Sequence, residues 1–130
     1  IFDDVRLIRS DSVTESIEEI HRIGEQDVIL AISFPRYSVK TIQTVSFAKN
    51  RKAKIIAITD GEQSPLAKYA DCSIYAGSDM VSFVDSLVAP LSVVNALLAA
   101  LSMRYKDSVT DTMLSMESIW NTMNEYERID

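Results

Sequence analysis

Two short apolar runs constrain this chain more than any other feature. Asp27-Val28-Ile29-Leu30-Ala31-Ile32 and Lys54-Ile55-Ile56-Ala57-Ile58-Thr59 are rich in β-branched residues and apolar at consecutive positions. Successive side chains of a strand point to opposite faces, so a run without polar alternation has to be covered on both. That is the pattern of interior strands in a parallel sheet. Between the two runs, from about Ser38 to Arg51, the spacing of Val39, Ile42 and Val45, with Phe47 and Ala48 beyond, predicts a helix with these residues inward. Strand, helix, strand in this order implies a right-handed crossover between parallel neighbours.

The rest of the chain extends the alternation. Asp4 to Arg9 alternates like a short strand. Ser12 with Glu15 forms a capping box for a helix bearing Ile17, Ile20 and Ile23, with Gly24 as its stop. Ser64 is placed to cap a short helix with Pro65 at its first position. Asp71 to Tyr75 reads as a further strand. The predicted order is βαβαβαβ followed by two helices, an α/β fold.

The segment from about Met80 to Met103 is apolar nearly all round and long enough to raise the question of a membrane. Asp85 and Asn95 within it are costly in lipid, so the expectation is burial in protein and no membrane. The remaining elements are too few to cover it, and the last helix, from Ser108 to about Arg128, carries Val109, Met113, Met116, Trp120 and Met123 at helical spacing. A homodimer with these two C-terminal helices in its interface is expected.

Composition narrows the function. The 130 residues suit one domain, and the net charge of -6 opposes a surface built to hold a phosphate backbone. The cations Lys49, Arg51, Lys52 and Lys54 read as a solvated helix end. The single cysteine, Cys72, excludes an internal disulfide and reads as a buried structural thiol. His21 stands among Glu18, Glu19 and Glu25 and reads as a surface residue; no residues have metal-ligand spacing, and no cofactor is implied. With no signal peptide visible, the location expected is cytoplasmic. The start at Ile1 reads as that of a fragment.

Ligands of open parallel sheets bind outside the carboxyl ends of the strands. Both apolar runs end in hydroxyl-bearing loops, Ser33 through Ser38 and Thr59 through Ser64, and each loop leads toward a helix N-terminus. Free N–H groups, hydroxyls and the guanidinium of Arg36 together suit an anionic ligand. The candidate ligand-binding residues are Ser33, Arg36, Ser38, Thr59 and Ser64. Asp60 and Glu62 lie nearby, in a turn that favours such residues in any case, and no residue is singled out as catalytic.

Three runs carry a family resemblance: Asp27 through Ser38, Ala53 through Asp60, and Ser64-Pro65-Leu66-Ala67 with Ala70-Asp71. Together they resemble the sugar isomerase (SIS) domain, and within it the effector domain of RpiR/MurR-type transcription regulators. The runs Phe83 to Leu91 and Glu117-Ser118-Ile119-Trp120 are similar to that group as well. The resemblance implies a three-layer αβα domain, usually dimeric, that binds a phosphorylated sugar or amino sugar at its strand ends. Ser33 and Ser38 match the first and last hydroxyls of the family's Ser-x-Ser-Gly-x-Thr/Ser loop; Pro35 and Arg36 stand where it has serine and glycine. Ser64 matches the serine of the second loop. The family's first strand and helix, and the regulators' helix-turn-helix domain, would precede Ile1, so DNA contact is expected only through that absent domain. The leading expectation is a ligand-sensing regulator domain. The alternatives are a phosphosugar aldose–ketose isomerase, for which the sequence offers no convincing base, and a dimerisation module with a vestigial pocket.

Overall fold

The computed structural model describes residues 4–9, 11–77 and 87–123. The chain divides into two compact units, one of Arg6–Val94 and one of Ile1–Val5 with Asn95–Asp130.

The larger unit opens with α1, Val13–Glu19. Ser12 caps it, its side chain accepting from the Glu15 N–H at 3.1 Å. A backbone turn at Ile20 to Ile23 follows, so the predicted stripe outlasts the helix while Ile20 and Ile23 still reach the core. The three strands β1 (Val28–Ile32), β2 (Lys54–Thr59) and β3 (Cys72–Tyr75) form one parallel sheet in the order β1-β2-β3. The expected strand at Asp4 to Arg9 does not form: 4–9 has no regular structure. Alternation supplies a face, but a strand also needs to join a sheet, and the sheet of the described residues is made of β1, β2 and β3.

Helix α2, Val39–Asn50, returns the chain from β1 to β2. It lies over the sheet face presented by Ile29, Ala31, Ile55 and Ala57. Ala31, Val45, Ala48, Ala53, Ile55, Ala57 and Leu66 form the core, with Ile20, Ile23, Ile42 and Tyr69 packed against it. The small residues Ala31, Ala48 and Ala57 let helix and sheet approach closely. Ile55 is fully buried, and its side chain contributes about 2–3 kcal/mol by removal from water. Val39 does not join this core. It is 67% exposed, at the first residue of α2.

The other face of β1 carries Val28, Leu30 and Ile32, all exposed. Cys72 is exposed too, against the expectation of a buried thiol, because β3 borders the sheet and its burial pattern is open at that residue. Helix α2 ends with Lys52 in the left-handed region at φ 69, with Lys52 N–H donating to Lys49 C=O and Ala53 N–H to Ala48 C=O. These two bonds are a Schellman stop built on lysine instead of glycine.

The remaining helices are α3, Val88–Arg104, and α4, Lys106–Met123. Helix α3 ends within a residue of the expected Met103 but starts at Val88, and α4 starts two residues before Ser108. Leu91, Leu98 and Met103 on α3, and Met113, Met116, Ile119 and Met123 on α4, are exposed. Asp85, with the expected stretches from Met80 to Ser86 and from residue 124 onward, lies outside the described residues. Among the described residues no single helix is long and apolar enough to cross a membrane.

Candidate site at the carboxyl ends of the strands

The register of the sheet builds the site. Ile32 pairs with Ile58, so the chain leaves β1 at Ser33 directly beside Thr59, the last residue of β2. Ser33 N–H donates to Ile58 C=O at 3.1 Å, and the Thr59 hydroxyl lies 2.6 Å from Ser33 C=O. Thr59 Oγ1 is also 2.7 Å from Ser64 Oγ and 3.0 Å from Asp60 Oδ1. A carbonyl and a carboxylate can only accept, so the one Thr59 proton serves them and Ser64 donates to Thr59. Ser64 Oγ in turn accepts from the Leu66 N–H at 3.2 Å. That bond holds the turn at Pro65, and the short helix expected there tightens into a single 3-10 turn, Ala67–Tyr69. The adjoining backbone follows the same pattern, Ala76 N–H donating to Thr59 C=O.

The five residues singled out from the sequence therefore separate into two groups. Thr59 and Ser64 are fully buried and hydrogen-bonded to each other, and Ser33 is buried beside them. Arg36 and Ser38 are exposed on the loop above. Ser38 caps α2, its hydroxyl accepting from the Thr41 N–H at 3.3 Å while its own proton remains for a further acceptor. The first turn of α2 adds N–H groups with no intrahelical carbonyl and the positive end of the helix dipole. Arg36 occupies the left-handed region at φ 68, the conformation in which glycine is least strained.

Sequence reasoning missed Tyr37. Its phenol donates to both oxygens of Asp60, at 2.9 and 3.0 Å, and ties the first loop to the second. The phenol is held above its ordinary pKa, first by desolvation and then by the hydrogen bond and negative charge of Asp60. No local signal announces this pair; it arises from the β1–β2 register.

The basic cluster is engaged at the opposite end of the sheet. Lys49 pairs with Asp71 at 2.9 Å, Lys52 with Glu25 at 2.6 Å, and Arg51 donates to His21 C=O at 2.7 Å. Asp71 also accepts from Ile55 N–H at 2.8 Å. That backbone bond, then Lys49, holds its carboxyl below the usual range. Among the described residues no group of three or more His, Cys, Asp or Glu side chains could hold a metal ion.

A parallel sheet whose strands end in converging polar loops, beside a helix N-terminus, defines an open α/β domain of the class that takes ligands at its strand ends. Residues 12–100 match the SIS domain, and the chain belongs to that family. The HTH-type transcriptional regulator TTE0211 of Caldanaerobacter subterraneus subsp. tengcongensis, itself uncharacterised, is 31% identical over 105 residues, 73% of this chain. The chain spans only 37% of that relative's length. Among solved structures, the sugar isomerase domain of an RpiR transcription factor from Sphaerobacter thermophilus is similar at a TM-score of 0.75 and 25% identity, over 79% of this chain and 57% of that one. The Vibrio vulnificus NanR protein complexed with ManNAc-6P shares the fold at a TM-score of 0.67 and 20% identity, over 85% of this chain and 44% of that one. The domain is thus homologous to the sugar isomerase domains of transcription regulators.

Proposed function

We propose that this chain is the phosphosugar-sensing effector domain of a bacterial transcription regulator. The observation that carries the reading is the convergence of the two loops at the ends of β1 and β2, joined through Ser33, Thr59 and Ser64 and by Tyr37 with Asp60, beside the N-terminus of α2. In this reading Ser38, Arg36 and the first-turn N–H groups of α2 receive the phosphate. Ser33, Thr59 and Ser64 hold the loops in register under it. The relationship to regulators, one of them solved with ManNAc-6P, supports a phosphorylated sugar or amino sugar as the ligand class. The apolar residues exposed on α3 and α4 support a homodimer through these helices. Binding would shift the dimer between two states of different ligand affinity, and a helix-turn-helix domain outside this chain would make the DNA contact.

A thermal-shift screen of the full-length protein against hexose and amino-hexose phosphates, ManNAc-6P among them, tests the reading. A true ligand at roughly a hundredfold excess over its Kd stabilises by about 2.7 kcal/mol. The shift should vanish on Ser38→Ala combined with Arg36→Ala. Absence of any shift across the series, with the protein folded, would overturn it.

A further inference from the structure

We infer that Tyr37 and Asp60 orient the ligand, with its phosphate toward the first loop and its hydroxyl- or amine-bearing end toward Asp60. This rests on the phosphosugar reading above and adds a direction to it. The two loops differ in what they offer. Thr59 and Ser64 are fully buried, and their hydroxyl protons are engaged within the protein. Neither therefore serves as a donor to an incoming phosphate. The second loop instead presents Asp60, half-buried at the very end of β2.

A carboxylate repels a phosphate and accepts from O–H and N–H donors. Tyr37 and Thr59 supply two donor hydrogens at most, and a carboxylate has about four lone-pair sites. The remainder suit the hydroxyls of a polyol or an ammonium group. The donors assigned to the phosphate above, Ser38 with its own proton, the start of α2 and Arg36, lie on the first-loop side.

Tyr37 is a positioning residue in this arrangement. It stands between Arg36, held at φ 68, and Ser38, the cap of α2. Its hydroxyl fixes the Asp60 carboxylate before ligand arrives, so the cost of orienting that group does not fall on binding. The same bond aims the Asp60 carboxylate and holds it against the β1–α2 loop.

The test is calorimetric titration of the full-length protein with ManNAc-6P, and with inorganic phosphate read as a competitor, for wild type, Tyr37→Phe and Asp60→Asn. Phenylalanine keeps the ring and removes only the hydroxyl. Asparagine keeps the size and an acceptor for Tyr37 while removing the charge. The expected result is a loss of at least tenfold in ManNAc-6P affinity in both variants. Inorganic phosphate should hold within threefold in Tyr37→Phe and hold or tighten in Asp60→Asn. Equal losses for both probes, or unchanged ManNAc-6P affinity, would overturn the assigned orientation while leaving the phosphosugar reading intact. If wild type binds neither ManNAc-6P nor any other hexose 6-phosphate, that reading falls and the orientation falls with it.

Discussion

The hydroxyl of Tyr37 reaches both carboxylate oxygens of Asp60, at 2.9 and 3.0 Å, and so closes two loops that are 23 residues apart in the chain. A bond of this kind is made by the neutral phenol as donor and is lost when the phenol ionises beside a carboxylate. The phenol's pKa is raised in the folded protein, so its contribution is fully present below the unfolded value of about 10 and is lost as pH rises through the higher folded value. Melting temperature followed from pH 8 to 12 should therefore fall on the alkaline side, and Tyr37→Phe should flatten that fall while lowering the melting temperature at pH 8.

Thr59 and Ser64 should behave as structural residues under mutation. Thr59→Val preserves shape but leaves Ser33 C=O and the Ser64 hydroxyl short of a buried partner. Such groups cost about 1–3 kcal/mol each when unsatisfied. Urea unfolding should show a loss in that range for Thr59→Val. Leu66→Ala, which empties a fully buried site at the core edge, should cost about 2–5 kcal/mol.

The two left-handed residues should respond in opposite functional ways to the same substitution. Lys52→Gly relieves a strain of about 1–2 kcal/mol and gives up only an exposed ion pair with Glu25, typically worth about 0–1 kcal/mol. A small net gain in unfolding free energy, with ligand binding unchanged, is expected. Arg36→Gly relieves the same kind of strain, yet it should weaken sugar-phosphate binding because a charged donor is lost. Unfolding curves and titrations on both variants separate the two effects.

Asp71 should govern part of the acid limb. The Ile55 N–H, then Lys49, depress its folded pKa, so its contribution is present above the unfolded value of about 3.9 and is lost as pH falls through the lower folded value. Asp71→Asn should lower stability at pH 7 and reduce the change in urea midpoint between pH 5 and 2. Raising the salt concentration should shrink the part that comes from Lys49, whose side chain is 39% exposed.

Local chemistry announced a good part of this molecule. The unbroken apolar runs of β1 and β2 became parallel neighbours as a crossover of that length implies, while the expected cover on the second face of β1 is missing among the described residues, where Val28, Leu30 and Ile32 are exposed. Ser12 caps the helix it was expected to cap, because a cap needs only the hydroxyl and the N–H three residues on. The hydroxyl loops were legible for the same reason, since strand ends and helix starts are adjacent in the sequence.

Tertiary structure decided what depends on neighbours. Residues 4–9 carry a strand's alternation and form none, because pairing is made elsewhere in space and not by the pattern itself. Cys72 is exposed because β3 borders the sheet, and Val39 at the start of α2 is exposed instead of joining the core. Which hydroxyls at the strand ends are engaged inward and which face outward followed from one register, Ile32 against Ile58. By itself the sequence determined that Ser33, Ser38, Thr59 and Ser64 would gather at one end of a parallel sheet. Only the folded chain decided that Thr59 and Ser64 saturate each other and that Tyr37 meets Asp60, because hydrogen bonds between distant residues depend on positions that no local pattern specifies.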